Sequence, residues 1–507
     1  MITRLTCPVE GFRKELMDVA DIFVLENRWT QAPHETADLD ILLKESVNSG
    51  CRTCTAKLSG AFRAVYQNTE QVFSDPIEEK RRHKRQEKLA LYHALVLASG
   101  RRPPWGSLTG IRPTRLVYEA MARGLQRKEA VRSVRELFSL QADKAALLED
   151  IIGVQQSLSA SHADETDIYI GIPFCVSRCR YCSFLSREAG DGKLLVPYVE
   201  ALEQELSGVI ALAQTYGLRV RCVYVGGGTP TALPAALLRR VLAAAEPLII
   251  KAGEVTVEAG RPDTITADKL QVMKDFGATR VCLNPQTMHD RTLQVIGRRH
   301  TALQTEDAFS LARKMGFNNI NMDLIAGLPG ENPDMFGETL LRVLDFYPEA
   351  LTMHTLCVKR ASDMHRYGDS LPDRAAVESM VSQGHQAMAA RGYLPYYLYR
   401  QKHMAGNLEN TGYALPGYAC LYNVDMMEDT VTVLAAGAGA MSKRVFPDRK
   451  RILRAPNVKD ILEYKGRVPE MLKRKKALLE GFGKGVKPAS APGDQPDVLS
   501  LELEDDA

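Results

Sequence analysis

The segment "IYIGIPFCVSRCRYCSFLS", Ile168 to Ser186, contains three cysteines, Cys175, Cys179 and Cys182. Tetrahedral zinc commonly takes four ligands arranged as two close pairs, and no fourth cysteine or histidine follows closely here. Three thiolates suit a [4Fe–4S] cluster that leaves one iron open to a small molecule. The alternatives are a zinc site completed by a ligand from elsewhere in the chain, or a chance grouping.

Further polar residues are predicted near the ends of strands: Glu258, Gln286, Arg298 and Asp323. Barrel enzymes build their active sites at the carboxyl ends of their strands. The run "GGGTP", Gly226 to Pro230, follows another predicted strand, and glycines let backbone groups approach a ligand closely. Taken singly, each polar residue is equally consistent with an exposed or capping side chain, and the glycine run with an ordinary turn.

The elements that must position these residues alternate regularly between about residues 165 and 358. Short β-branched runs are separated by amphipathic helical segments, which is typical of βαβ units and a parallel sheet. Six strands are predicted, and this number indicates a partial (β/α)6 barrel. Their sequences are "DIYIGIPF", "RCVYVGGG", "EVTVEAG", "TRVCLNPQ", "NNINMDLIAGLP" and "ALTMHTLCV".

The flanking regions are less regular. Residues 1–160 are expected to form an α/β N-terminal extension of unknown role, 359–480 a smaller substrate-covering region, and 481–507 a disordered tail rich in Gly, Pro and acids. In the extension, we interpret the basic run Glu78–Lys88 as a solvated helix face rather than a phosphate-binding patch. Cys51 and Cys54 could form half a zinc site or a redox pair, although partly buried thiols are the simpler interpretation.

The composition is that of an ordinary globular protein, with 45% hydrophobic residues and a net charge of +3 over 507 residues. The small charge does not indicate a nucleic-acid partner. No apolar run is long enough for a membrane span, and no secretory signal opens the chain. We therefore expect a cytoplasmic monomer. In a reducing compartment, the isolated cysteines are interpreted as core residues: Cys222, Cys282 and Cys420.

The ordered motifs resemble a known family. A Cys-x3-Cys-x2-Cys loop after a first barrel strand is similar to the radical S-adenosylmethionine (SAM) superfamily. The segments "YIGIPFCVSRCRYCSF", "VYVGGGTPTAL", "VTVEAGRPD", "NPQTMHDRTLQVIGRRH" and "NMDLIAGLPGE" resemble, in order, those of oxygen-independent coproporphyrinogen III oxidases. "RPPWGSLTGIRPTRL", "HTLCVKRAS" and "YYLYRQKHMAGNLENTGYA" resemble the HemZ-type coproporphyrinogen dehydrogenase branch. The resemblance covers about residues 95–445.

The resemblance implies the following chemistry. Cys175, Cys179 and Cys182 would ligate a [4Fe–4S] cluster, and one or two SAM molecules would give a 5′-deoxyadenosyl radical on reduction. A low-potential electron donor such as flavodoxin or ferredoxin would be needed. The radical would start the oxidative decarboxylation of two propionates of coproporphyrinogen III, giving protoporphyrinogen IX in haem biosynthesis. The residues matched to SAM contacts are Tyr169, Gly227, Gly228, Thr229, Glu258, Gln286, Arg298, Asp323 and Cys357.

The implied substrate is a tetrapyrrole carrying four propionates, and a tetra-anion needs cationic partners. Candidates are Arg299, His354, Lys359, Arg360, Arg400 and Lys402. The tyrosines Tyr396, Tyr397 and Tyr399 could line a flat pocket, although core packing is the favoured interpretation.

The chain departs from the family's best-studied branch in two places, with Gly171 where that branch has a histidine and Phe184 where it has a fourth cysteine. The alternative function is therefore a haem-binding chaperone of the same family, for which His354 or His403 could ligate iron. An RNA-modifying radical SAM enzyme is disfavoured by the small net charge.

Overall fold

The computed structural model describes residues 1–24, 27–32, 34–110, 112–158, 162, 164–183, 186–359, 362–367, 369–401, 404–446 and 451–482. Phe184, Arg360, Lys402, His403 and most of the predicted tail, residues 483–507, lie outside the described residues. The chain divides into two compact units. The first comprises Met1–Ile152 and Tyr399–Glu409, and the second Gly153–Leu398 and Asn410–Ala507.

The first unit combines a mixed sheet with helices. Its strands are β1 Ile2–Thr6, β2 Arg28–Thr30, β3 Leu39–Asn48, β4 Cys51–Gly60 and β5 Ala64–Gln71, in the order β2-β1-β3-β4-β5. Its helices are α1 Arg13–Asp21, α2 Pro76–Ser99, α3 Pro113–Ala122, α4 Arg127–Phe138 and α5 Ala142–Leu158, the last of which runs into the second unit. β3, β4 and β5 pair antiparallel, so one face of this sheet can pack on α2 while the other faces water.

The basic run Glu78–Lys88 lies within α2, but the expectation of a solvated face is wrong for part of it. Glu87 is only 1% exposed, and Gln86 donates to the backbone carbonyls of Arg52 and Asn68 at 2.7 and 3.2 Å. Burial lowers the pKa of Lys88 to about 8. The run therefore carries buried polar side chains as well as solvated ones.

The second unit contains thirteen strands among its described residues. They are β6 Glu165–Ile172, β7 Phe174–Cys175, β8 Arg187–Glu188, β9 Arg219–Gly227, β10 Glu254–Gly260, β11 Arg280–Gln286, β12 Ile320–Ala326, β13 Ala350–Thr355, β14 Leu394–Tyr399, β15 Asn410–Ala414, β16 Thr432–Ala436, β17 Met441–Val445 and β18 Ile452–Pro456. The helices are α6 Leu195–Thr215, α7 Ala235–Ile249, α8 Ala267–Asp275, α9 Asp290–Val295, α10 Ala302–Lys314, α11 Pro333–Leu344, α12 Asp363–Tyr367, α13 Arg374–Ala390, α14 Leu421–Glu428, α15 Ile461–Gly466 and α16 Val468–Leu479.

Eleven of these strands form one sheet in the order β14-β15-β13-β12-β11-β10-β9-β6-β16-β17-β18. The six predicted strands, β6 and β9 to β13, are all parallel, which confirms the α/β radical SAM fold class. β16 adds a seventh parallel strand beside β6, whereas β15 pairs antiparallel with β13. The sheet therefore continues beyond the six predicted strands.

The parallel strands are buried on both faces, as strands covered by helices must be. In β10, "EVTVEAG", every residue except Glu258 is buried. Three of the helices between the strands, α8, α10 and α11, begin at residues whose side chains cap the first turn. At α10, for example, Thr301 and Gln304 form a reciprocal capping box. This regular alternation brings the carboxyl ends of all the parallel strands to one edge of the sheet. None of the described helices is long and apolar enough to cross a membrane.

Candidate active site at the carboxyl ends of the parallel strands

The three-cysteine loop follows β6 directly, so it emerges at this edge. Cys175, Cys179 and Cys182 have intermediate exposure, and none of them forms a disulfide with another described cysteine. The guanidinium of Arg261, from the turn after β10, donates to the carbonyl and the hydroxyl of Ser177 at 3.1 and 2.6 Å. Arg261 is 2% exposed, so the loop rests on a buried cation. Sequence reasoning missed this residue, although it lies in the quoted motif "VTVEAGRPD".

The loop is also tied to the turn after α9. The backbone N–H of Arg180 donates to Ile296, and the hydroxyl of Ser177 donates to the carbonyl of Gly297. The N–H of Cys182 donates back to the carbonyl of Cys179 at 3.0 Å, which closes the loop between the last two thiols. These bonds hold the loop against the residues that immediately precede Arg298.

The predicted glycine turn lies beside the first thiol. A Cβ at Gly228 would come within 2.6 Å of the carbonyl oxygen of Phe174 and 2.8 Å of the Sγ of Cys175. Gly227 has φ +120°, a conformation that favours glycine. The hydroxyl of Thr229, a 2% exposed residue, donates to the Sγ of Cys175 at 3.7 Å. Glycine is therefore needed here so that the backbone of the turn can contact the segment that carries Cys175. The glycine run is not only a turn that reverses the chain.

Tyr169 lies on β6 and Glu258 on β10, both within the parallel part of the sheet. Glu258 accepts a hydrogen bond from the hydroxyl of Tyr224 at 2.5 Å. Burial raises the pKa of Glu258 to about 7, against the opposing effect of the bond from Tyr224, and Asp323 adds to the rise. Glu258 can therefore take either protonation state near neutral pH, and it can accept or donate a hydrogen bond.

Sequence reasoning missed the tyrosines around Tyr169. Tyr224 and Tyr422 stack with ring centroids 4.4 Å apart, and Tyr169 stacks on both at 6.3 Å. Tyr422 is placed by α14, whose first N–H groups are capped by the buried carboxylate of Glu254. Tyr224 could have been found from its position two residues before Gly226 on the same strand face. Tyr422 carried no such signal, because it comes from a helix outside the repeating pattern.

Gln286 and Arg298 approach the same edge from β11 and the segment after α9. Gln286 has φ +70°, unusual for a side chain with a Cβ, and its buried Oε1 accepts no hydrogen bond from the described residues. The guanidinium of Arg298 donates to the carbonyl of Asn284 and, at 3.2 Å, to the hydroxyl of Tyr181 in the cysteine loop. The Nε of Arg298 and the Oδ1 of Asn284 are likewise buried and unpaired among the described residues.

The remaining predicted contacts lie on β12, β13 and the residues after them. The Oδ1 of Asp323 accepts from Asn321 at 2.7 Å, and its Oδ2 lies 3.5 Å from the Nε2 of His354. Cys357 is partly exposed, and burial raises the pKa of its thiol. The structure thus brings Asp323 and the predicted substrate residue His354 together.

The predicted substrate cations fall into different settings. Arg299 is exposed and lines a cavity of about 510 Å³ together with Arg298, and Lys359 has intermediate exposure. Arg400 does not fit the predicted role. It is 3% exposed, and it donates to the carbonyls of Leu108, Gly110 and Asn407 inside the first unit. Burial lowers its pKa to about 10. The two terminal nitrogens of its guanidinium thus donate to backbone carbonyls, two of them in the Gly/Pro-rich loop.

The tyrosines near Arg400 support the interpretation of core packing. Tyr396 and Tyr397, on β14, are 1% and 5% exposed. The ring of Tyr397 lies where a Cβ at Gly412 would be, 1.9 Å from its Cε1. Cys222, Cys282 and Cys420, expected to be core residues, are all buried.

The strand-end residues fit a polar cofactor beside three thiols. The Gly226–Thr229 turn forms a cradle that any side chain would fill, and it abuts Cys175. The unpaired atoms of Gln286, Asn284 and Arg298 include both acceptors and a donor, which suits a ligand with amino and carboxylate groups. These features are those expected of a [4Fe–4S] cluster with SAM at its open iron.

Comparison with known proteins agrees with this description. The family model of the radical SAM superfamily matches residues 169–343. The oxygen-independent coproporphyrinogen-III oxidase-like protein HemZ of Bacillus subtilis (strain 168) is 35% identical over 93% of this chain and 96% of its own length. The heme chaperone HemW of Escherichia coli (strain K12) is 31% identical over 57% of this chain and 72% of its own length.

Among solved structures, the coproporphyrinogen III oxidase HemN from Escherichia coli, described as a radical SAM enzyme, matches 66% of this chain and 74% of its own with a TM-score of 0.51. At 21% identity this is a likeness of fold. The relative that matches almost end to end is more informative, since it includes the N-terminal region as well as the barrel. This chain belongs to the radical SAM family of oxygen-independent coproporphyrinogen-III oxidase-like proteins.

Proposed function

We propose that this protein is a radical SAM enzyme that oxidatively decarboxylates two propionates of coproporphyrinogen III to vinyl groups, giving protoporphyrinogen IX. The observation that carries the proposal is the strand-end site itself. Tyr169, Glu258 and Asp323 lie on parallel strands of one continuous sheet, and Arg298 donates to Tyr181 in the three-cysteine loop. The end-to-end similarity to the HemZ oxidase-like protein supports the same activity.

In this proposal Cys175, Cys179 and Cys182 ligate three irons of a [4Fe–4S] cluster, and the Gly226–Thr229 turn holds the methionine end of SAM. When bound, the cluster and SAM supply hydrogen abstraction by a carbon radical. The chain's own residues must orient the reactants and exclude water. The buried Arg261 and the bonds to Ile296 and Gly297 keep the loop in one conformation.

Glu258 and Arg298 have distinct positioning roles. The carboxyl of Glu258, with its pKa raised by burial to about 7, accepts from Tyr224 and lies beside the glycine turn that is proposed to hold SAM. The guanidinium of Arg298 is fixed between Asn284 and Tyr181 and can face a carboxylate without losing further side-chain freedom. Both groups fit the amino-acid end of SAM.

The substrate carboxylates need cations at the same edge. Among the described residues, the proposed partners are His354, Arg299 and Lys359. Arg400 is not among them, because its guanidinium donates to backbone carbonyls. The Nε2 of His354 lies 3.5 Å from the Oδ2 of Asp323, so this contact holds the imidazole at the edge where the substrate is proposed to bind.

The alternative is a haem chaperone, favoured by the heme chaperone relatives and by Gly171. A Cβ at residue 171 would lie 3.3 Å from the ring of Tyr169 and 3.4 Å from the carbonyl of Ala436. The Gly/Ala turn after β16 therefore packs where the best-studied branch carries a histidine side chain. If that histidine is essential for the oxidase reaction, the chaperone function follows.

The deciding experiment is an anaerobic assay with reconstituted protein, SAM, a low-potential reductant and an electron acceptor. Coproporphyrinogen III should lose CO2 and form protoporphyrinogen IX, and Cys179→Ala should abolish this. The oxidase proposal fails if no decarboxylation occurs with an intact cluster across several donors and acceptors. Tight haem binding with transfer to an apo-protein, under those same conditions, would establish the chaperone.

A further inference from the structure

In the first unit, a cluster of polar side chains lies at the end of the apolar core between α2 and the sheet. On β3, the alternate residues Leu39, Ile41 and Leu43 are buried under α2. The next residue on that face is Glu45, and Cys54 lies directly opposite it on β4. A strand has a period of two, so Glu45, an exposed residue, and the buried Cys54 continue the same face of the sheet.

The face of α2 that packs on the sheet also changes there from apolar to polar side chains. Ala90, Leu91 and Ala94 of α2 are 0% exposed and pack in the core. One and two turns earlier, the corresponding stripe presents Glu87 and His83. Residues four apart share a helix face, so both side chains point at the sheet.

These four residues meet. One ligand atom from each of Glu45, Cys54, His83 and Glu87 lies within 4.8 Å of the others. The Nε2 of His83 is 2.6 Å from the Oε2 of Glu45 and 3.2 Å from the Oε1 of Glu87. The set therefore offers one nitrogen, one sulfur and two carboxylates around a common point.

Glu87 is the unusual member. It is 1% exposed, and neither of its oxygens accepts a hydrogen bond from any described residue. Its contact with His83 lacks hydrogen-bond geometry, and the Nε2 of His83 is also without a hydrogen bond. A buried carboxylate left in this state is costly. A protonated His83 has a single proton at Nε2, so it cannot satisfy both carboxylates.

We propose that Glu45, Cys54, His83 and Glu87 form a zinc site in the first unit. Imidazole, thiolate and carboxylate are the ligands that zinc uses in proteins, and four protein ligands make a closed, structural site. The metal would neutralise Glu87 and join α2 to the hairpin formed by β3 and β4. Arg52, whose Nε lies 3.5 Å from the Oε2 of Glu45, would orient that ligand from outside the site.

Partly buried thiols are the interpretation of Cys51 and Cys54 that the sequence favours, and the geometry excludes the alternative in which the two act together as half a zinc site or a redox pair. They are three residues apart on β4, so their side chains point to opposite faces. Cys54 is 0% exposed, whereas Cys51 has intermediate exposure and is absent from the group. Cys51 is therefore a matched control.

The experiment measures zinc and iron separately in the full-length protein, and in a full-length variant with Cys175, Cys179 and Cys182 all replaced by alanine so that no cluster interferes. We expect about one zinc per chain in both proteins. Cys54→Ser and Glu87→Gln should reduce zinc to background, while Cys51→Ser should keep it. Circular dichroism checks that each variant is folded.

Cobalt provides a second readout that does not depend on activity. Co²⁺ added to chelator-treated protein should give the strong visible bands of a tetrahedral ion and a sulfur charge-transfer band. That band should be lost in Cys54→Ser and kept in Cys51→Ser. Zinc content that is unaffected by Cys54→Ser and Glu87→Gln would overturn the proposal. Folded protein that binds neither Zn²⁺ nor Co²⁺ would also overturn it.

Discussion

The two units gather cysteine with other polar groups in opposite ways. In the second unit, Cys175, Cys179 and Cys182 come from one short loop, and glycines and backbone hydrogen bonds shape their surroundings. In the first unit, Cys54 meets His83, Glu45 and Glu87 from two strands and a helix. A loop site depends on its backbone, whereas a site between elements depends on the packing of a core. Only a loop site shows a characteristic spacing of its cysteines in the sequence.

The largest expected effect separates the two sites completely. Cys179→Ala should abolish the visible absorption of the reconstituted cluster and all turnover, because an open cluster needs all three thiolates. Zinc content should not change. Cys54→Ser should do the reverse, with iron retained, and Cys51→Ala should lose neither metal. Metal analysis of the three variants provides the measurement, and a variant that loses both metals would break the comparison.

The second effect concerns Arg298 and Arg299, neighbours in sequence with different surroundings. Arg298 is 7% exposed and fixed by Asn284 and Tyr181, whereas Arg299 is exposed. Arg298→Lys keeps the charge but loses the planar fork, so turnover should fall on the order of 100-fold with the cluster intact. Steady-state assay of SAM cleavage in the absence of tetrapyrrole measures this, so that the substrate role proposed for Arg299 does not contribute, and Arg299→Lys is then the control. Equal effects of the two substitutions would contradict the assigned role.

The sequence predicted the loop site well because its parts are local. The strands at Glu254–Gly260 and Ala350–Thr355 lie where the short β-branched runs predicted them. Cys175, Gly228 and Glu258 follow strands whose ends must meet at one edge of a parallel sheet. The alternation of strands and helices already predicts a parallel sheet, and the parallel sheet places these three residues close together.

What the sequence could not predict depends on contacts between distant segments. Tyr422 reaches the site because Glu254 caps α14, and no periodicity links those two residues. Arg400 looked like a free cation, but the carbonyls of a Gly/Pro-rich loop occupy it. The basic run of α2 masked Glu87, because its charge pattern resembles a solvated face. In each case tertiary packing changed the environment of a residue without changing its local pattern.

The third effect tests how strongly the loop site depends on backbone shape. Gly228→Ala would place a Cβ 2.6 Å from the carbonyl oxygen of Phe174, so the loop must shift at a cost of about 1–3 kcal/mol. We expect weaker iron retention during gel filtration and a higher KM for SAM. Gly466→Ala, where nothing lies within 4 Å of an added Cβ, is the matched control. Zinc content should be the same in both variants.

The smallest effect is a pH dependence of stability that arises from Glu258. Burial raises its pKa from 4.5 to about 7 in the folded protein. Between these pH values the folded protein holds a proton that the unfolded chain has released. The free energy of unfolding should therefore fall as the pH rises through this window, by about 2 kcal/mol after allowance for partial exposure, and then level off. Glu258→Gln cannot release a proton, and it still accepts the bond from Tyr224.

The measurement compares denaturant unfolding of cluster-free wild-type and Glu258→Gln proteins at pH 5 and pH 7.5. The wild type should lose more stability than the variant between the two values. This difference should be unchanged by EDTA, because Glu258 is neutralised by a proton, whereas the metal proposed at Glu87 is removed by a chelator. The opposite outcome is that EDTA changes the difference in pH dependence between the wild type and Glu258→Gln. That result would contradict the contrast between Glu258, which is neutralised by a proton, and Glu87, which is proposed to be neutralised by a metal.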